Sequence, residues 1–285
     1  MSSRTFASLG LAVALLCSSP AAPADEGARA AAWAPASSAT HDRVKASGRL
    51  VVHVLVPLCD NDQVDCGSAR AGDPDDLQHN LYWGAIFGHK RHFSRKTSPF
   101  EKVGVEKGSG ALLERAVFRK QVKGKPWGRT DDVTLWVVLD GTRGDAIDGV
   151  IDRLYQEAEH GAVVKVRVGD EQVALPVDVV GYAGHNRMMD GKKPPARTQA
   201  DGAPIPSFVM ACHSTSYFEK PLAERGSSLL VGTRALMAPE GYVVEAIVLG
   251  LAEDASPREL RRRAVAAYAK YQSIEEKTAG RIFSE

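Results

Sequence analysis

Residues Leu50–Leu58 read Leu-Val-Val-His-Val-Leu-Val-Pro-Leu, an apolar run with β-branched side chains on both faces. Such a strand has to be covered on both faces, the condition met inside a parallel sheet flanked by helices. The rest of the chain alternates as that sheet requires. Further strands are expected near Glu114–Val122, at Val133–Leu139, Val177–Ala183 and Ser207–Ala211, and a short one at Leu229–Gly232. Helices are expected at about Leu81–Phe93, near Tyr217–Arg225 and at Pro239–Leu251. The clearest helix repeats Ile147, Val150, Ile151, Leu154, Tyr155 and Ala158 at helical spacing, with Asp145 as cap and Gly161 as stop. A final helix opens on the capping box Ser256-Pro257-Arg258-Glu259 and runs over about 257–279. Val163–Val168 and Gln172–Leu175 read as a hairpin around Gly169-Asp170. The predicted class is α/β, a three-layer sandwich with a mostly parallel central sheet.

The first 24 residues read differently from the rest, with Arg4, an apolar run from Phe6 to Cys17, and Ala22-Pro23-Ala24 before Asp25. This is the pattern of a secretory signal peptide with a small-x-small cleavage site. The apolar run is shorter than a bilayer span needs, and Leu16 stands where a lipidated Cys17 would be preceded by a small residue. Residues 25–42, rich in Ala, Ser, Pro and Gly, read as a flexible leader, and 43–285 as a single domain. The mature chain is therefore expected to be exported, periplasmic or extracellular, with no membrane span.

Charge excludes one class of partner. With 36 Lys+Arg against 35 Asp+Glu, a net charge of +1 and no basic block, nucleic acid has no footprint to bind. No Gly-x-x-x-x-Gly-Lys-Ser/Thr and no Gly-x-Ser-x-Gly occurs, so neither a nucleotide loop nor a serine elbow is present. No metal or other cofactor is expected. Cys59 and Cys66 lack a four-ligand set, Asp60, Asp62 and Asp65 lack the glycine and final Glu of a calcium loop, and His89-Lys90-Arg91-His92 has the wrong spacing for a zinc helix.

Of the four cysteines, removal of Cys17 with the signal leaves Cys59, Cys66 and Cys212. Cys59 and Cys66 flank a short loop and form the natural disulfide in an oxidising compartment, which isolates Cys212 as a thiol. Two strands end on reactive residues: Val-Asp-Val-Val-Gly-Tyr-Ala-Gly runs into His185, and Ser-Phe-Val-Met-Ala into Cys212. If these strands are adjacent and parallel, imidazole and thiol emerge at one sheet edge, where a histidine can draw the proton from a nucleophilic cysteine. Backbone N–H groups after His185 and at Cys212 are placed to hold an oxyanion.

Tyr182-Ala183-Gly184-His185 and Met210-Ala211-Cys212-His213-Ser214 resemble the motifs of the caspase-like cysteine peptidases, which include caspases, gingipains and legumains. The resemblance covers about residues 130–235. It implies a caspase-like core, a Cys212 nucleophile, His185 as base or ion-pair partner, and a peptide or amide substrate. One departure is Asn186 where the family has glycine. A wider set of motifs, including Leu81-Tyr82-Trp83-Gly84 and Leu236-Met237-Ala238-Pro239-Glu240, is similar to a group of exported bacterial proteins and implies no activity.

At the carboxyl ends of the strands, Asp60, Asn61, Asp140, Arg143, Asn186, Ser214 and Arg234 are the expected substrate or oxyanion contacts. The alternative is a non-catalytic binding module, or a degenerate hydrolase relative, using the same cleft with Asp60, Asn61, Asn186 and Arg187. The final helix, with Arg261, Arg262 and Arg263, offers a surface for a protein partner, although covering its own sheet is the commoner role.

Overall fold

The computed structural model describes residues 38–284, so the expected signal peptide and most of the expected leader lie outside the described residues. The end of that leader is not loose. Residues 38–47 form helix α1, Thr40 is buried, and Arg43 Nε pairs with Asp178 Oδ1 at 3.1 Å. The fold therefore begins before residue 43, because this turn of helix carries contacts to the loop entering β7 (Val179–Ala183).

The main sheet has six strands in the order β2-β3-β4-β1-β7-β8. Its parallel part is β4 (Val133–Thr142), β1 (Arg49–Pro57), β7 and β8 (Ser207–Met210). β3 (Leu112–Val122) pairs antiparallel with β4, and β2 (Glu101–Lys107) antiparallel with β3. β5 (Val163–Val168) and β6 (Glu171–Pro176) form the separate hairpin expected around Gly169-Asp170.

Every residue of β1 after Arg49 is buried, and its two faces enter different cores. Val51 and Leu55 pack with Ile151, Leu154 and Tyr155 of α3 (Ile147–His160) and with Phe218 and Leu222 of α4 (Ser214–Ala223). Val52, Val54 and Val56 pack with Val244, Ile247 and Val248 of α5 (Gly241–Ala252) and with Leu260 and Ala264 of α6 (Pro257–Gln272). Helices thus cover both faces of a mostly parallel sheet, an arrangement compatible with a three-layer sandwich.

Local departures from expectation have local causes. Asp145 does not cap α3; Ala146 holds that position while Asp145 pairs with Arg143 at 2.8 Å. Ser256 does cap α6, its Oγ accepting from Glu259 N–H at 3.4 Å, but the helix stops at Ser273, which is left-handed, before the short α7 (Glu276–Ala279). The helix expected at Leu81–Phe93 shrinks to α2 (His89–Phe93). Asn80 causes this: its Oδ1 accepts from Cys59 and Tyr82 N–H while its Nδ2 donates to the Cys59 and Asp73 carbonyls. The chain is drawn into turns so tight that a Cβ on Gly84 would lie 2.3 Å from Gln78 O. Leu229–Gly232 is no strand and makes one bridge, Ser207 to Leu229. The unexpected β2, Glu-Lys-Val-Gly-Val-Glu-Lys, is a half-exposed edge strand whose charges hide its alternation.

Cys59 and Cys66 form the disulfide, with Cα atoms 6.2 Å apart, and close the loop after β1. Loop-closure entropy for so short a loop corresponds to about 2–3 kcal/mol. Cys59→Ser/Cys66→Ser is expected to lose that much stability in urea unfolding; an unchanged midpoint would show that Asn80 alone fixes the loop.

Candidate functional site

Because β4, β1, β7 and β8 run parallel, their carboxyl ends share one edge. β7 and β8 are neighbours, with Ala183 opposite Met210, and Gly184 N–H extends the pairing to Met210 O at 3.1 Å. Each chain leaves the sheet there, and His185 and Cys212 each follow two residues later on adjoining loops.

Cys212 is half-buried and is the free cysteine among the described residues. Its Sγ accepts from Met237 N–H at 3.4 Å and faces Met237 O at 3.6 Å. The next residue, His213, has φ of 50°, a conformation unfavourable for a side chain, and turns the chain directly into α4. Burial, then the charges of Cys212 and Glu240, push the Tyr82 phenol well above its ordinary pKa. Tyr268, raised first by burial, also feels Glu240 and Cys212. Both phenols therefore stay protonated.

His185 is held from two sides. Tyr182 Oη donates to its carbonyl at 2.6 Å, and its Nε2 lies 2.7 Å from Asp190 Oδ2. Arg187 Nη1 reaches the same oxygen at 2.9 Å. Burial opposes ionisation of Asp190, but His185 and Arg187 outweigh it and lower its pKa. Among the described residues His185 Nδ1 makes no hydrogen bond, and none joins His185 to Cys212.

Asn186 links the two loops instead. Fully buried, it donates from Nδ2 to Cys212 O at 2.6 Å and accepts Met188 N–H on Oδ1 at 3.1 Å. Its side chain is a clamp and offers nothing to a substrate. Its backbone N–H and that of Cys212 have no partner among the described residues.

The other expected contacts are occupied within the chain. Asp140 is fully buried: β4 continues past it to Thr142, so it points into the sheet–α3 interface. Ser214, also fully buried, donates from Oγ to Val209 O at 2.8 Å and accepts Thr233 N–H at 2.9 Å. Arg143 is at the edge but pairs with Asp75 and Asp145, each at 2.8 Å. Asp60 accepts from Asp62 N–H and Gln63 Nε2, and Asn61 bonds Ser68 O and Cys66 N–H, so both build the disulfide loop. Arg234 donates to the carbonyls of Arg281 and Gly280 and fastens the C-terminal segment. Arg262 and Arg263 on α6 pair with Glu259 of their own helix.

Sequence reading missed Asp190, whose only signal is an acid five residues beyond His185 in a glycine-closed turn. It also missed a buried charge cluster. His53, fully buried in β1, contacts Glu157 Oε2 through Nδ1 at 2.7 Å and Asp140 Oδ2 through Nε2 at 3.0 Å. Arg115 grips Asp140 with two bonds of 2.6 and 2.7 Å, and Arg153 reaches Asp140 at 3.0 Å and Glu157 at 2.7 Å. Burial alone would lower the pKa of His53, yet Glu157 and Asp140 together raise it to about 9. Both carboxylates are opposed by burial and held below their ordinary range by His53 and the arginines. The polar interruption at His53 in an otherwise apolar strand is the signal that could have found it.

No helix among the described residues is long and apolar enough to cross a membrane. Comparison with protein-family models, with curated proteins and with solved structures returns no match.

Proposed function

We propose that this chain is an exported cysteine-dependent hydrolase, a peptidase or amidase of caspase-like type, with Cys212 as nucleophile and His185 as acid and base. The observation that carries the reading is the pairing of β7 with β8, which brings the His185 and Cys212 loops side by side at the sheet edge. Cys212 loses its proton to His185 and its sulfur attacks the carbonyl carbon; the oxyanion is met by the N–H group of Cys212, which has no partner among the described residues. The C–N bond then breaks as His185 returns the proton to the departing amine. Water, deprotonated by His185, cleaves the thioester to release the acid and restore the thiol. The disulfide supports the exported setting.

Asp190 is a positioning residue in this scheme: bound to Nε2, it leaves Nδ1 to serve the sulfur. Asp190→Asn is expected to lower kcat about tenfold with KM little changed, and Asp190→Glu to recover part of it. Equal loss in both variants with a raised KM would assign Asp190 to loop structure alone.

A panel of fluorogenic peptide amides, varied at the residue before the scissile bond, tests the reading. Turnover that disappears in Cys212→Ala is expected; turnover that persists in that variant, or none across the panel, overturns it. The second reading is a non-catalytic binding module, favoured by the Asn186 clamp in place of glycine and by the absence of a His185–Cys212 bond among the described residues. Peptide binding without turnover that survives Cys212→Ala would establish it.

A further inference from the structure

We propose that the groove between α2 and the end of α6 is a binding site for a small organic anion with a planar apolar body, separate from the Cys212–His185 pair. The groove encloses about 420 Å³ and is lined by Phe87, His92 and Tyr271 below and by Ile86, Arg91 and Lys96 at the mouth. That size suits a small ligand and is too small for a protein surface.

The aromatic floor is preorganised. The Phe87 and Tyr271 rings meet edge to face at 5.5 Å, His92 meets Tyr271 at 5.5 Å, and Tyr271 is stacked on the buried Tyr242 at 4.4 Å. Ile86 is 65 % exposed at the mouth, an apolar side chain left in water where a planar ligand would cover it.

Charge selects the class of ligand. Glu245 is held by the groove residue Arg95 through two bonds of 2.6 Å, so Arg95 and Glu245 neutralise each other. His92 Nε2 is buried without a hydrogen bond and lies 3.6 Å from the same Glu245. Arg91 and Lys96, both exposed, have no acid partner among the described residues. Lys270 adds a further cation over the Tyr271 ring at 5.6 Å. Unpaired cations beside a cluster of aromatic rings favour a carboxylate or sulfonate joined to a ring. An inorganic anion would leave the rings unused, and a neutral ring would leave the cations unused.

The test uses the full folded chain and 2-naphthoate as probe, with 2-naphthalenemethanol and inorganic phosphate as comparators, followed by amide chemical shifts and titration calorimetry. Naphthoate is expected to shift the amides of Phe87, His92 and Tyr271, with Arg91→Ala/Lys96→Ala binding about tenfold more weakly and Ile86→Ser about threefold. All three positions are exposed, so the variants keep the fold. No shift up to about 5 mM naphthoate, equal binding of the neutral alcohol, equal binding of phosphate, or an unchanged double variant would each overturn the proposal. Hydrolysis by Cys212 is not read in this experiment, so either proposal can fail without the other.

Discussion

Asp140→Ala is expected to lower the free energy of unfolding by about 3–5 kcal/mol, the usual consequence of stranding a buried partner. Asp140 takes hydrogen bonds from His53, Arg115 and Arg153, and its removal leaves the fully buried His53 with Glu157 alone to offset its charge. In a domain of this size the melting temperature should fall by roughly 10 °C. Asp140→Asn, which keeps the shape and one acceptor, should lose less.

The same cluster sets a pH dependence with a definite sign. The pKa of His53 is raised from 6.5 to about 9 in the fold, so its contribution is complete below about 6.5 and is lost as pH rises through about 9. Asp140 and Glu157 are held below their ordinary values of 3.8 and 4.5, so theirs is present above those values and lost as pH falls through the folded ones. Urea midpoints measured across pH should therefore decline toward both extremes. The alkaline decline should flatten in His53→Gln; an unchanged alkaline slope in that variant would assign it to another group.

Cys212→Ala is expected to reduce peptide-amide hydrolysis to background, since no other free thiol among the described residues can form the thioester. His185→Ala should cost about 10²–10⁴ in kcat, the span of a lost general acid–base group. Neither change should disturb the fold strongly. Cys212 and the His185 ring lie on surface-reaching loops, and the clamp between those loops is made by Asn186 and the Cys212 carbonyl, which both variants retain. Hydrolysis that survives Cys212→Ala while falling in His185→Ala would place the nucleophile elsewhere.

Much of the framework could be read from residue pattern. The doubly apolar β1 and the 3–4 spacing of α3 each respond to one local requirement, burial on two faces or on one stripe, and both are where their sequences place them. The adjacency of β7 and β8 was a condition stated from the two strand endings, and the sheet order meets it. What sequence hid depends on side chains meeting across elements. His53, Glu157, Arg115 and Asp140 come from β1, α3, β3 and β4, and nothing in their spacing announces that they converge. Asp140 looked like a strand-end contact because the apolar run stops at Leu139; hydrogen bonding carries β4 on to Thr142 and turns Asp140 inward. Asn186 looked like a defective glycine, yet its amide holds the two loops together, a role visible only once Cys212 O is 2.6 Å away.

The most direct test of the central claim is the rate of Cys212 alkylation by iodoacetamide at pH 6.5 in the native chain, compared with His185→Ala. At that pH an ordinary cysteine is only about 1 % thiolate. Labelling is expected to be at least about tenfold faster in the native chain than in His185→Ala, with the difference closing by about pH 9.5. Equal rates in the two chains, or a thiol that labels only after denaturation, would contradict it.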